Sequence, residues 1–265
     1  MQQAGLYLDP LEESLTDSLR LEKPYYFHAR NHIGRIVNSI LAKKHLVLMK
    51  VGKLDEDGIL NGLTQSRYPE TLIGMKRLNN IQFCVENVIR NNVEGDLIET
   101  GVWRGGGIIM MRGVLKAHDV SDRNVWVADS FEGCPPATID ADVDDRYSVF
   151  DFLAVGLEEV KKNFDRYNLL DDHVKFLQGW FKDTLPNAPI EKLAVARLDG
   201  HMYESTNDAL LALYHKISIG GYIIIDDYGS VEACRKAVID FRAERGIEDE
   251  IRTVDWTGVY WQKTK

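Results

Sequence analysis

From residue 95 onward, short apolar segments alternate with amphipathic ones, and this alternation constrains the fold more than any other feature of the sequence. A chain that alternates strands with helices forms a parallel sheet covered by helices on both faces. The predicted strands are residues 95–99, 124–128, 174–177, 193–198 and 221–225. The predicted helices are residues 106–118, 157–167, 205–217 and 231–245. The predicted fold class is therefore α/β, with a doubly wound sheet.

The two ends of the chain depart from this pattern. The strand-like runs 250–254 and 258–262 have only the turn-prone Asp255-Trp256-Thr257 between them, so we expect an antiparallel hairpin at one sheet edge. Helical periodicity is found over residues 6–21, 33–49 and 73–89. We predict an N-terminal helical appendage over residues 1–70 and a main domain over residues 71–265.

Charge and composition exclude several classes of protein. The 32 Lys and Arg against 41 Asp and Glu give a net charge of -9, which disfavours a surface that follows nucleic-acid phosphates. No apolar run reaches the roughly 20 residues of a membrane span, and the N-terminus lacks a signal-peptide pattern. The three cysteines fit neither a disulfide framework nor a zinc site. We expect a cytoplasmic protein that binds neither nucleic acid nor membrane.

The first predicted strand runs into the glycine-rich turn Glu99-Thr-Gly-Val-Trp-Arg-Gly-Gly-Gly. Gly101 permits a sharp turn, and the later glycines allow close approach to the start of a helix. Trp103 occupies the place where a pyrophosphate needs a second glycine, which argues against a nicotinamide-dependent oxidoreductase. An acid before the turn is more typical of a site for S-adenosylmethionine (AdoMet), although such turns are also ordinary packing devices.

Acidic residues follow three of the predicted strands. Asp129 stands at the strand end where a carboxylate meets ribose hydroxyls in doubly wound folds. Asp199 and the pair Asp226-Asp227 follow the fourth and fifth predicted strands, whose ends are expected to be neighbours at the ligand-binding edge of the sheet. Three carboxylates there raise each other's pKa unless a cation lies among them, and oxygen ligands suit Mg²⁺. The alternative interpretation is that these are solvated acids capping the following helices.

Three other segments are candidates for function. The pair Trp180 and Phe181 after the third strand either flanks a purine ring or belongs to the core. His201 is a candidate proton acceptor or substrate contact, or else a packing residue. The irregular, acidic stretch around residues 134–155 is long for a compact domain, so we predict a lid loop there.

In combination and in this order, the motifs resemble those of the macrocin O-methyltransferase family, AdoMet-dependent enzymes that methylate sugar hydroxyls on macrolide and aminocoumarin antibiotics. The motifs are Ile73-Gly-Met-Lys-Arg-Leu-Asn-Asn, Glu99-Thr-Gly-Val-Trp-Arg-Gly-Gly, Val127-Ala-Asp-Ser-Phe, Gly179-Trp-Phe-Lys-Asp-Thr, Arg197-Leu-Asp-Gly and Ile225-Asp-Asp-Tyr. The resemblance covers about residue 70 to the C-terminus. The combination is specific, although each motif alone is not.

The resemblance implies a class I methyltransferase (Rossmann-like) fold and Mg²⁺-assisted methylation of a hydroxyl, on a sugar of a secondary metabolite. The implied cofactor-binding residues are Met75, Glu99, Thr100, Gly101, Val102, Asp129, Ser130, Gln178, Gly179, Trp180 and Phe181. The implied Mg²⁺ ligands are Asp199, Asp226 and Asp227. Asp199 is the first candidate to accept the hydroxyl proton. His201, which stands where relatives carry a second acid, is the other candidate.

The resemblance also implies a homo-oligomer, with acceptor selection and subunit contacts in the appendage and the acidic loop. A catechol-type O-methyltransferase, which uses the same metal chemistry on vicinal aromatic hydroxyls, is the enzymatic alternative. A protein that binds AdoMet without transferring its methyl group is disfavoured, because such a protein has no need of three aspartates for a metal.

Overall fold

The fold is built around a mixed sheet, seen in a computed structural model that describes residues 2–18, 25–28, 49–52, 56–63, 69–144 and 147–265. In chain order the strands of these residues are β1 (Tyr25–His28), β2 (Met49–Gly52), β3 (Asp96–Thr100), β4 (Val125–Asp129), β5 (Val174–Gln178), β6 (Leu193–Leu198), β7 (Ile217–Ile225), β8 (Arg252–Thr253) and β9 (Val259–Gln262). Strands β3 to β9 form one seven-stranded sheet.

The order of the strands in this sheet is β5-β4-β3-β6-β7-β9-β8. Strands β3 to β7 are parallel, whereas β9 runs antiparallel to β7 and β8 antiparallel to β9. The chain proceeds from β3 toward one edge and then returns past β3 toward the other. This topology confirms both the doubly wound sheet and the C-terminal edge hairpin.

Helices cover both faces of the sheet. They are α1 (Gln2–Leu15), α2 (Glu56–Leu60), α3 (Met75–Arg90), α4 (Gly106–Ala117), α5 (Leu157–Arg166), α6 (Phe181–Thr184), α7 (Tyr203–Leu213) and α8 (Glu232–Glu244). The core on one face draws on α1, α3, α4 and α5, and the core on the other draws on α7 and α8. β3 and β6 are buried along almost their whole length, as expected for strands that are covered on both sides.

Most predicted elements lie within about two residues of the observed ones, but the stretch 203–225 differs. The helix predicted over 205–217 ends at Leu213, and β7 begins at Ile217 rather than at residue 221. A bulge explains the difference, because the pairing of β6 with β7 passes from Leu193 opposite Ile217 to Val195 opposite Tyr222. The extra residues of a bulge break the alternation by which a strand is recognised.

The N-terminal region is less uniformly helical than predicted. The helix predicted over 6–21 is observed as α1, which ends at Leu15, but β1 and β2 pair as a two-stranded antiparallel sheet. The helix predicted over 33–49 lies outside the described residues, except for Met49, which belongs to β2. The α1 side chains Leu8, Leu11 and Leu15 are buried in the same core as α4, so α1 packs on the sheet's helical layer. No helix within the described ranges is long and apolar enough to cross a membrane.

Candidate active site

A cavity opens at the carboxyl ends of the parallel strands. Its volume is about 530 Å³, which lies in the usual range for small-molecule sites. The lining residues come from the ends of β3, β4, β6 and β7, from residues 71–73 and from the loop after β4. The connections that leave β3 and β6 pass to opposite sides, and open α/β sheets bind their ligands at such a point.

The glycine turn after β3 brings neighbouring backbones into close contact. Gly101 has a φ of +78°, and a Cβ there would overlap the carbonyl oxygen of Asp199. A Cβ on Gly107 would likewise overlap the carboxylate of Glu99. At Gly101 only glycine both adopts this backbone conformation freely and leaves room for the carbonyl oxygen of Asp199. The turn therefore leaves Glu99 packed directly beneath the start of α4.

Glu99 is fully buried, and only one of its carboxylate oxygens has a protein partner. Its Oε1 accepts a hydrogen bond from Arg197, whereas Oε2 has no partner among the described residues. Burial raises the pKa of Glu99 to about 7, with Arg197 opposing the rise and Asp199 adding to it. Leaving a buried acceptor unpaired costs about 1 to 3 kcal/mol, so this oxygen is suited to a ligand that donates a hydrogen bond.

Asp129, at the end of β4, is oriented by backbone groups of the turns around it. Its Oδ2 accepts a hydrogen bond from the N–H of Val102 and its Oδ1 one from the N–H of Phe131, each at 2.7 Å. Burial raises the pKa of Asp129 in spite of these hydrogen bonds. The carboxylate lines the cavity and stands where a ribose is met in doubly wound folds.

Asp226, at the end of β7, is held between two guanidinium groups. Arg77 Nη1 lies 2.5 Å from its Oδ2, and Arg197 Nη2 lies 2.5 Å from its Oδ1. Burial raises the pKa of Asp226, but Arg197 and Arg77 outweigh this effect and lower it. Both oxygens of Asp226 thus have an arginine within ion-pair distance, although Oδ1 accepts no hydrogen bond from the described residues. The sequence prediction of a metal ligand did not anticipate these ion pairs.

Asp227 lies instead with Asp199 and His201. One ligand atom from each of the three residues lies within 4.8 Å of the others. Asp227 Oδ2 is buried and has no hydrogen-bond partner in the part of the chain that the structure describes. The structure therefore groups Asp199 and Asp227 with an imidazole, where the sequence grouped them with Asp226.

The charges in this cluster favour a cation. Burial, together with the charges of Asp199 and Asp226, raises the pKa of Asp227 to about 8, although His201 opposes the rise. Burial lowers the pKa of His201, but Asp227, the Cys134 thiol and Asp199 outweigh it and raise the pKa to about 10. The charge of Asp227 is therefore incompletely neutralised by the groups around it. A divalent cation removes this excess of negative charge.

The cavity collects most of the predicted site residues and leaves out four. The predicted residues that line it are Glu99, Gly101, Val102, Asp129, Ser130, Trp180, Phe181, Asp199, His201, Asp226 and Asp227. Those outside the lining are Met75, Thr100, Gln178 and Gly179. Met75 Sδ accepts a hydrogen bond from Thr16, which follows α1, and the Thr100 side chain is buried. The cofactor role predicted for these four residues stays a prediction.

The sequence analysis missed several lining residues. Arg77 and Arg197 organise the carboxylates, and Tyr147, from the acidic loop, lies with its ring centroid 4.3 Å from that of His201. Arg197 carried a signal, because an arginine inside the apolar run Leu193–Leu198 must find acidic partners. Arg77 lies within the motif that begins at Ile73, but neither that motif nor the sequence around Tyr147 indicates their partners, which are distant in sequence.

Comparisons with known proteins identify relatives of this chain. A sequence profile of the macrocin-O-methyltransferase (TylF) family matches residues 4–263. The chain is 58% identical over 199 residues to the demethyldecarbamoylnovobiocin O-methyltransferase of Streptomyces niveus, which covers 74% of this chain and 76% of that protein. It is 54% identical over 217 residues to the 8-demethyl-8-(2,3-dimethoxy-alpha-L-rhamnosyl)-tetracenomycin-C 4'-O-methyltransferase of Streptomyces olivaceus, covering 80% and 83%.

A solved structure gives the same result for the fold. The structure of the O-methyltransferase NovP is 45% identical in sequence and matches with a TM-score of 0.86, over 99% of this chain and 100% of that chain. The expected class I methyltransferase fold is confirmed. The expectation that the resemblance begins near residue 70 is wrong, because the family profile also matches residues 4–70.

Proposed function

The chain belongs to the macrocin-O-methyltransferase family and is an AdoMet-dependent O-methyltransferase, and we propose that its acceptor is a sugar hydroxyl of a glycosylated natural product and that Mg²⁺ assists the transfer. The observation that carries the proposal is one cavity lined by buried carboxylates, in which Glu99 Oε2 and Asp227 Oδ2 have neither a hydrogen bond nor an arginine partner among the described residues. The first suits a donor group of AdoMet and the second suits a cation. Both close relatives are named for methylation of glycosylated antibiotics.

Different parts of the cavity wall are proposed to bind different parts of AdoMet. Glu99 and the turn at Gly101 would hold the amino-acid end, because Glu99 Oε2 accepts a hydrogen bond from an ammonium group. Asp129 would bind the ribose hydroxyls with the lone pairs that the backbone N–H groups leave open. Trp180 and Phe181 line the cavity one strand farther along, where their rings can flank the adenine.

The metal site is proposed to consist of Asp199 and Asp227. Carboxylate oxygens are the ligands that Mg²⁺ prefers, and these two lie close together beside the cavity. Asp226 stays a predicted ligand, but it would bind the ion only if its ion pair with Arg77 or with Arg197 were broken. A bound Mg²⁺ lowers the pKa of a coordinated hydroxyl and competes with the proton on His201 for the same carboxylates.

Of the two predicted proton acceptors we favour His201, which would act as a base once a bound cation neutralised the carboxylates that raise its pKa. Asp199 Oδ2 lies 2.9 Å from Arg197 Nη2, and Asp199 is also a proposed Mg²⁺ ligand, so its oxygens would already be engaged. The His201 imidazole lines the cavity, and its Nδ1 lies 3.8 Å from Asp199 Oδ1 and 4.0 Å from Asp227 Oδ2. It can pass the proton that it accepts from the hydroxyl toward these carboxylates or to solvent.

The experiment that tests the acceptor measures methyl transfer from AdoMet by mass spectrometry. The two acceptors are demethyldecarbamoylnovobiocin and 8-demethyl-8-(2,3-dimethoxy-α-L-rhamnosyl)-tetracenomycin C, with catechol as the aromatic comparison. We expect methylation of a glycoside with Mg²⁺ and none with a chelator. Methylation of catechol alone would favour the catechol-type alternative, and full activity in the chelator would contradict the metal proposal.

Replacing His201 tests the proton acceptor. We expect His201→Gln to lower kcat by about 10² to 10⁴-fold, the usual contribution of a general base. The dissociation constant for S-adenosylhomocysteine should not change, because no contact to that ligand is proposed for His201. Wild-type turnover in this variant would assign the role to Asp199. A homo-oligomer and a cytoplasmic location stay predictions made from the resemblance and from the sequence.

A further inference from the structure

The acidic loop is attached to the start of α7, immediately after the segment that carries Asp199 and His201. Asp142 is 2% exposed, although it lies in a stretch of mostly exposed residues. Its Oδ1 accepts a hydrogen bond from the N–H of Tyr203 at 2.6 Å, and its Oδ2 accepts one from the N–H of Glu204 at 3.0 Å. One carboxylate thus satisfies the first two amides of the helix.

Through these contacts, Asp142 caps the N-terminus of α7 from a distant part of the chain. The residue that precedes α7 is Met202, whose side chain offers no cap, and no side-chain hydrogen bond closes the helix from within its own sequence. The first N–H groups of a helix need acceptors, and a negative charge is favoured there by the helix dipole. An unbound loop would therefore leave the start of α7 uncapped.

The start of α7 is coupled to the active site through His201. His201 has a φ of +57°, a conformation that is uncommon for residues other than glycine and that persists only where the surroundings fix it. α7 begins two residues after His201, at Tyr203. The hydrogen bonds that hold Tyr203 and Glu204 therefore also restrain the backbone of His201. On the cavity side, the Tyr147 ring of the same loop contacts the His201 ring.

The far end of the loop is attached to the glycine turn after β3. The indole N–H of Trp103 donates a hydrogen bond of 2.8 Å to the carbonyl oxygen of Phe152. The loop is thus attached to the start of α7 at Asp142 and to the glycine turn at Phe152, with Tyr147 between them along the chain. Tyr147 and Leu153 both line the cavity.

We propose that Asp142 is a positioning residue of the acceptor site: by capping α7 it holds the loop over the cavity with Tyr147 against His201, so that the loop and the start of α7 open together. The inference rests on the proposed function only in naming the acceptor as the molecule that enters when the loop opens. The coupling of loop and helix stands on the hydrogen bonds alone.

Hydrogen exchange followed by mass spectrometry tests the coupling without any acceptor. In Asp142→Ala the amides of residues 139–144, 147–153 and 203–206 should all exchange roughly ten-fold faster, the change expected for a lost N-cap. Asp142→Asn should fall between wild type and the alanine variant, because its single amide oxygen replaces a two-oxygen charged cap. Asp140→Ala removes an exposed acid of the same short turn and should exchange like wild type.

Kinetics then separate a positioning role from a merely structural one. With the better glycoside acceptor of the two named above, Asp142→Ala should raise the acceptor KM about ten-fold and change kcat less. The dissociation constant for S-adenosylhomocysteine should stay as in wild type. Asp142→Asn should raise the acceptor KM less than Asp142→Ala does.

Three results would overturn the proposal. Faster exchange at the start of α7 alone would reduce Asp142 to an ordinary helix cap, and unchanged exchange in both segments would remove the attachment altogether. An unchanged acceptor KM in a variant with faster exchange would disconnect the loop from the acceptor. If wild-type protein methylates neither glycoside, the proposed function fails, and the exchange data still decide whether Asp142 couples the loop to α7.

Discussion

Arg77 supports the active site from α3, and its replacement offers the sharpest test of how the carboxylates are held. Its Nη1 lies 2.5 Å from Asp226 Oδ2, and its Nε lies 3.0 Å from Asp255 Oδ2. The side chains of all three residues are at most 7% exposed. In Arg77→Gln, Asp226 retains Arg197, while Asp255 retains, among the described residues, the backbone N–H groups of Thr257 and Gly258.

The expected cost follows from these remaining contacts. Removing one partner of a buried ion pair costs about 3 to 5 kcal/mol. We expect Arg77→Gln to lie near the lower limit, about 3 kcal/mol, because both acids keep other hydrogen bonds. Urea unfolding followed by circular dichroism should show a fall of about 1 M in the midpoint, for a slope near 3 kcal/mol per M.

An exposed ion pair is the matched control. Arg252 pairs with Glu250 at 3.1 Å, with side chains that are 59% and 75% exposed. Arg252→Gln should leave the free energy of unfolding close to that of wild type, because exposed ion pairs contribute little to stability. Equal effects of Arg77→Gln and Arg252→Gln would refute the reasoning, because burial would then make no difference to the two pairs.

Two further changes test α1 and the ribose contact. Burial, with the charges of Asp9 and Glu13, raises the pKa of Glu12 to about 7 from an ordinary 4.5, so Glu12 destabilises the fold increasingly as the pH rises through this interval. Thermal melts should therefore show Glu12→Gln equal to wild type at pH 4 and more stable by about 2 kcal/mol at pH 8; no gain at pH 8 would contradict the assignment. Asp129→Ala should weaken S-adenosylhomocysteine binding by about 1 to 3 kcal/mol in calorimetry, and an unchanged dissociation constant would remove Asp129 from the cofactor site.

The sequence predicted the position of the site because the position follows from topology. Parallel strands end at one edge of a sheet, so acids that follow the strands in the sequence must meet in space. Glu99, Asp129, Asp199 and Asp227 all line the cavity for this reason. No long-range contact had to be known to bring them together.

The residues that contact these acids could not be predicted from the sequence. Asp226 and Asp227 are neighbours of the same type, yet one is held by arginines and the other has a free oxygen beside His201. Arg77 is 149 residues away from Asp226 along the chain, and Asp142 is 61 residues away from Tyr203. Periodicity reports which face of an element is buried, but it holds no information on contacts over such separations.

The most direct test of the central claim is calorimetric titration of the metal-stripped protein with S-adenosylhomocysteine and then with Mg²⁺. We expect both ligands to bind wild type, and we expect Asp227→Asn to bind S-adenosylhomocysteine but to lose the Mg²⁺ signal. Mg²⁺ binding that survives in Asp227→Asn would contradict the metal site at Asp199 and Asp227. Failure of wild type to bind S-adenosylhomocysteine would contradict the assignment of the cavity as the AdoMet site.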